Sequence, residues 1–161
     1  MKTYDVAVIG SGPSGASAAL KLAENGISVV LIEKETLPRY KTCGGGFVYR
    51  GRRHMPFDVS SVVEREFNKI DIYFDKAGIH LTSEREEPII SMIMRDDFDN
   101  LIVEKAKKAG ITLLEDHKLK DMTFGDSITL HTSKGDIQSK FVIAADGALS
   151  PTAKLTGWEE T

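Results

Sequence analysis

The 161-residue sequence has one cysteine, Cys43, so no disulfide can form within the chain, and a lone thiol suits a reducing cytoplasm. No apolar run approaches the roughly 18 residues that would suggest a membrane-spanning helix. No charged-then-apolar leader precedes the first strand-like segment, which points to the cytoplasm. A net charge of −3 gives no reason to expect nucleic acid as a partner. His54, His80, His117 and His131 are far apart and form no H-x-x-x-H pair, so no metal is expected. There is no Gly-x-Ser-x-Gly elbow and no paired-carboxylate pattern. Hydrolytic and metal chemistry therefore have no foothold here. What remains is an ordinary globular balance, 41% hydrophobic and 28% charged, able to build a core. The length suits one domain of roughly 100–200 residues.

The first informative segment is "YDVAVIG" (4–10), apolar and β-branched as a parallel strand covered on both faces must be. A tight turn and a helix follow in "SGPSGASAALKLAENG" (11–26). Pro13 suits a first helical turn, where its missing N–H costs nothing, and Gly26 suits the stop. "SVVLIEK" (28–34) reads as a second buried strand. Strand, helix and strand enclose Gly10-x-Gly12-x-x-Gly15. Gly10 allows the sharp turn, Gly12 leaves room for a pyrophosphate, and Gly15 permits close helix–strand packing. N–H groups at the helix start, Ser14 among them, then face the phosphates with the helix dipole behind them. Glu33 ends the second strand, 18 residues after Gly15, where a carboxylate accepts from ribose hydroxyls and repels a 2′-phosphate. The pattern predicts a dinucleotide site that disfavours NADP.

Glu33 does not separate NAD from FAD, which share an adenosine with a free 2′-hydroxyl. An ordinary NAD-binding sheet returns quickly to its third strand, whereas about 60 residues intervene here before the next clear helix. They include "IDIYFDKAGIHLTSE" (70–84) and "PIISMIMR" (88–95), read as short strands that build one wall of a second domain. "RDDFDNLIVEKAKKAG" (95–110) is a helix with Phe98, Leu101, Ile102 and Ala106 at helical spacing. Asp96, Asp97 and Asp99 read as dipole-matching acids on a solvated first turn rather than a metal site. "ITLLED" (111–116) is a further parallel strand, and 119–141 alternates as a three-stranded antiparallel meander. "FVIAADG" (141–147) is another buried strand, and Ser150-Pro151 cap and start a short helix closing at Gly157.

The stretch "PRYKTCGGGF" (38–47) concentrates a cation, two aromatic rings, the cysteine and three consecutive glycines. Such glycines disfavour regular structure and imply a close approach to the main chain. "RGRRH" (50–54) reads as a solvated loop face, with attraction for a diphosphate headgroup as the alternative.

The order GxGxxG, terminal Glu, "PRYKTCGGG", "RDDFDNLIVEKAKKAG" and "AADGALSPTAKL" resembles the N-terminal part of the geranylgeranyl reductase family of FAD-dependent oxidoreductases. That family is related to aromatic-hydroxylase-type flavoproteins. The resemblance runs from about residue 4 to about 157. It implies an α/β, Rossmann-like FAD-binding fold of the glutathione-reductase type, with a parallel sheet, a β-meander crossover and part of a second antiparallel domain. Residues 1–161 would be the FAD-binding domain, and 47–94 the start of an incomplete substrate domain.

The resemblance also implies roles. Gly44, Gly45 and Gly46 would let backbone N–H groups approach the isoalloxazine ring, with Cys43 beside it. Otherwise Cys43 is a small buried hydrophobe. Arg39 would lie near the adenosine or phosphates. Arg95 would face the cofactor or else make a surface ion pair. Leu119 would offer its backbone to adenine, and Asp146 and Gly147 would lie by the cofactor. FAD is the implied cofactor, NAD(P)H the implied donor and an isoprenoid or lipid the implied substrate, with peripheral contact to a membrane. No catalytic residue is identified. Relatives of this kind are about twice as long, so the chain is expected to be a truncated piece, inactive alone and prone to self-association. Two other readings stay open: an aromatic-type FAD monooxygenase, and a dinucleotide-binding module without catalysis of its own.

Overall fold

The computed structural model describes residues 3–158. In chain order the elements are β1 (Thr3–Ile9), α1 (Pro13–Glu24), β2 (Val29–Ile32), β3 (Gly46–Val48) and α2 (Tyr49–Arg52). Next come β4 (Val63–Phe67), β5 (Lys69–Phe74), β6 (Ile79–Glu84), β7 (Ile90–Ile93) and α3 (Arg95–Lys108). The last are β8 (Thr112–Leu114), β9 (Leu119–Phe124), β10 (Ile128–Thr132), β11 (Gly135–Ala144) and α4 (Pro151–Leu155). The chain divides into two units, one reaching to Arg39 and resuming at Asp99, the other Tyr40–Phe98.

The first unit holds a six-stranded sheet in the order β8-β2-β1-β11-β10-β9. β8, β2, β1 and β11 run parallel, while β10 pairs antiparallel with both neighbours. β2 reads Val-Val-Leu-Ile because it is buried at every position. On one face Ala7, Ile9, Val30 and Ile32 join Leu119, Met122, Leu130 and Ile137 in a single apolar core. Ala16 and Ala19 of α1 are fully buried, which lets the helix lie close on β1 and β2. Here the FAD-binding-type α/β fold is realised, with one difference from expectation. The third meander strand and "FVIAADG" are one continuous ten-residue strand, β11, which pairs antiparallel with β10 and then parallel with β1. Its later half is not buried, and Phe141 is 66% exposed.

The second unit contains the antiparallel sheet β3-β7-β4 and a separate two-stranded hairpin, β5-β6. Phe47 and Phe98 meet with ring centroids 5.0 Å apart. β3, α2 and β4 gave no clear sequence signal. In the hairpin, Asp71 accepts from the Thr82 hydroxyl at 2.6 Å, and Tyr73 stacks on His80. Ile72, Phe74, Ile79 and Leu81 lie on the other face by alternation and are about half exposed. Among the described residues no helix is long and apolar enough to cross a membrane.

Candidate functional site

Three distant motifs of the first unit converge where β1, β2 and β11 end. Gly10 has φ +96°, and a β-carbon there would lie 2.5 Å from the Ala145 carbonyl oxygen. The glycine turn therefore abuts the Ala-Asp-Gly turn that follows β11. A β-carbon on Gly15 would come 1.9 Å from the Gly10 carbonyl oxygen, so the turn itself excludes any side chain there. Gly12 is different. Its φ of −64° and ψ of 176° are open to any residue, so conformation does not demand glycine. It is the N-cap of α1, no side chain caps the helix, and Pro13 occupies the first turn. The first-turn N–H groups, those of the exposed Ser14 and of Gly15, have no partner one turn back, which is the geometry of an anion site.

Glu33 follows β2 and is 3% exposed. Its Oε2 accepts the Ser11 N–H at 3.1 Å and the Ser11 hydroxyl at 2.6 Å, and lies 3.4 Å from Arg39 Nε. Oε1 accepts the Glu35 N–H at 3.1 Å. Burial works to raise the Glu33 pKa. The Ser11 hydroxyl and N–H, the Arg39 charge and the Glu35 N–H outweigh it and hold the carboxyl below its ordinary value. A carboxylate has about four acceptor positions, and among the described residues Oε1 has one hydrogen bond, from Glu35. Ser11 was not singled out in the sequence, although it stands between two motif glycines and its hydroxyl orients Glu33.

Arg39 is held by two acids rather than left free, because its Nη1 lies 3.2 Å from Asp99 Oδ2. Asp99 is fully buried, so its reading as a solvated, dipole-matching acid is corrected. It shares a helical stripe with the buried Ile102, Val103 and Ala106, a spacing visible in the sequence.

Asp146 caps α4. It accepts the Ser150 hydroxyl at 2.5 Å on one oxygen, and the Thr152 N–H at 2.9 Å and hydroxyl at 2.7 Å on the other. Burial opposes ionisation, but those Ser150 and Thr152 donors keep the Asp146 pKa below its ordinary value. Gly147 beside it has φ +92° and is exposed. Leu119 opens β9 with its side chain in the core, leaving only its backbone for a ligand. A cavity of about 780 Å³ runs along Met122, Phe124, Phe141 and α4. It takes in Asp146 and Gly147 but not Glu33 or the glycine turn.

In the second unit Cys43 and Arg95 line one cavity of about 130 Å³ with Tyr40, Lys41 and Met94. Cys43 is exposed rather than a buried hydrophobe, and its Sγ accepts the Gly45 N–H at 3.5 Å. Gly45 has φ +71°, and a β-carbon would meet the Ile93 carbonyl oxygen at 2.5 Å. A β-carbon on Gly46 would meet Ile90 Cδ1 at 2.7 Å. Only Gly44 of the three has open space around it.

The first-unit residues fit the adenosine and diphosphate end of FAD: an uncapped helix start behind a glycine that conformation does not require, and a buried carboxylate whose Oε1 has one hydrogen bond among the described residues. Comparison with known proteins gives the same cofactor. Geranylgeranyl diphosphate reductase, chloroplastic, of Arabidopsis thaliana is 32% identical over 168 residues, covering 92% of this chain and 35% of that protein. An uncharacterized protein of Methanosarcina barkeri is 33% identical over 148 residues, 91% of this chain and 38% of that one. The chain thus spans well under half the length of these relatives. The crystal structure of a geranylgeranyl bacteriochlorophyll reductase-like protein from Thermoplasma acidophilum superposes with TM-score 0.84 at 25% identity, covering 98% of this chain and 42% of that one. Residues 3–161 match the family described as FAD binding domain, and the chain belongs to that family.

Proposed function

We propose that this FAD-binding domain serves a flavin-dependent reductase that saturates carbon–carbon double bonds of an isoprenoid lipid, with NAD(P)H as the electron donor. The likeness to a geranylgeranyl diphosphate reductase over 92% of the chain carries the reading. Bound FAD would supply the hydride chemistry, taking the pair from the donor and passing it to carbon. The chain's own part is to bind and orient. Glu33 would take the ribose hydroxyls, and the α1 start behind Gly12 the diphosphate. Arg95, Cys43 and the Gly44 backbone would line the flavin end, and the Leu119 backbone, Asp146 and Gly147 the flanks. An isoprenoid acceptor would bring the protein to a membrane surface.

The test uses the protein that carries this sequence, loaded with FAD and kept free of oxygen. NAD(P)H should bleach the flavin absorption, and geranylgeranyl diphosphate should restore it with a saturated product. Restoration by oxygen and an aromatic substrate, with hydroxylated product, would replace this reading with a monooxygenase. Bound flavin that no nicotinamide donor reduces would leave a binding module.

A further inference from the structure

Between Glu35 and Asp58 the sequence holds five lysines and arginines and no acid, in a chain whose net charge is −3. The fold uses two of the five internally. Arg39 is held by Glu33 and Asp99. Arg52 is tied to the β3-β7-β4 sheet: it donates to Glu66 of β4, and to the hydroxyls of Ser91 and Ser60 at 3.1 Å each. Gly51 lies over Phe47 of β3, whose ring carbon Cε2 would stand 3.0 Å from a β-carbon there. The helical turn continues past α2, since the Arg53 N–H donates to the Tyr49 carbonyl and the His54 N–H to that of Gly51. Positions 50, 53 and 54 therefore share one arc, opposite the side that Gly51 and Arg52 turn to the sheet. All three residues are exposed, and among the described residues their side chains have no hydrogen bond and no ion pair.

We infer that this arc, carried by Arg50 and Arg53, is a docking face for the phosphates of an anionic membrane surface. A guanidinium matches a phosphate with paired donors. Both heads are unpaired before contact, so neither has to leave an acid first. The arc lies on the outside of a helical turn, and neither cavity takes in its residues. A single headgroup in solution would need a concave, enclosing site, whereas an array of phosphates meets such a face as it stands. The choice of a membrane over another polyanion rests on the proposed isoprenoid lipid acceptor. The net charge of −3 opposes adsorption of the chain as a whole, so the attraction has to come from a local face.

The experiment is co-sedimentation of the protein that carries this sequence with vesicles of phosphatidylcholine alone and of an equal mixture with phosphatidylglycerol. The mixed vesicles should bind it more tightly, and salt should weaken that binding. Arg50→Gln with Arg53→Gln should lower the partition coefficient about thirty-fold, at roughly five-fold per basic residue near an anionic surface. Lys21→Gln with Lys120→Gln, the same charge change on exposed lysines of the first unit, should bind like the parent. Equal loss in both double variants would show a general charge effect and overturn the assignment, as would equal binding to the two vesicle types. Should the arginine double variant not fold, Arg53→Gln alone decides: a loss of about five-fold supports the face and no loss overturns it. Tight calorimetric binding of inorganic diphosphate, lost in the arginine variant, would give the arc to a soluble anion and also overturn the inference. Adsorption needs no turnover, so vesicle binding through Arg50 and Arg53 without isoprenoid saturation would uphold this face while overturning the reductase.

Discussion

Gly15 lies directly under Gly10: a β-carbon on the first would stand 1.9 Å from the carbonyl oxygen of the second. That contact is internal to the turn, so the glycine is required before any ligand arrives. Gly15→Ala should therefore cost at least the roughly 1–3 kcal/mol of an overpacked core, visible as a lower Tm. Gly12→Ala should cost only about 1 kcal/mol as a poorer N-cap while cutting FAD affinity strongly. Equal loss of stability in both variants would contradict this division.

Glu33 titrates below its ordinary value of 4.5 in the folded chain, so the unfolded chain takes up its proton first. The stability this group contributes is present above about pH 4.5 and is lost as pH falls through the lower folded value. Glu33→Gln should lower Tm at pH 7, through charge-assisted hydrogen bonds worth roughly 1.5–3 kcal/mol each. It should also flatten the acid limb of a Tm-against-pH curve. An unchanged acid limb would mean that other carboxylates set it.

Gly44 and Gly45 separate two explanations of the triple glycine. Gly45→Ala forces a side chain into a positive φ and against the Ile93 carbonyl oxygen, so unfolding should come several degrees earlier. Gly44→Val adds bulk where nothing lies within 4 Å and should leave the unfolding free energy within about 0.5 kcal/mol of the parent. Flavin occupancy measured on Gly44→Val then reports whether a ring comes near. Full occupancy there would show that the glycine run serves the chain alone.

Ser139 is fully buried in β11, and among the described residues its hydroxyl has no hydrogen-bond partner. An orphaned buried polar group costs about 1–3 kcal/mol of desolvation. Ser139→Ala should match or exceed the parent in urea midpoint with an unchanged m-value. A clear fall in the midpoint would reveal a bond to that hydroxyl.

The β1-α1-β2 opening was legible because parallel strands read as unbroken apolar runs and the glycines mark the turn between them. Asp99 was misread because an acid in a first helical turn satisfies the dipole whether or not it is solvated. Its place one turn before Ile102 and Val103 was the better signal. β11 was split at Phe141 because antiparallel and parallel pairing predict different patterns, and one strand here does both in succession. β3 and β4 went unseen for want of apolar runs: one opens on a glycine and the other reads Val-Glu-Arg-Glu-Phe. The pairing of Arg39 with Asp99 spans 60 sequence positions, and no local pattern encodes it.

Among the described residues the β5-β6 sheet has no third strand, and two-stranded sheets are marginal in water. Its amide protons should exchange with deuterium through local opening, well before those of β1 and β2, which await global unfolding. A nonspecific protease should likewise cut first near Gly78, at the exposed tip between Phe74 and Ile79. Any ligand or surface that shelters Ile72 and Leu81 would be registered there as slowed exchange, so the hairpin is a built-in reporter of what covers it.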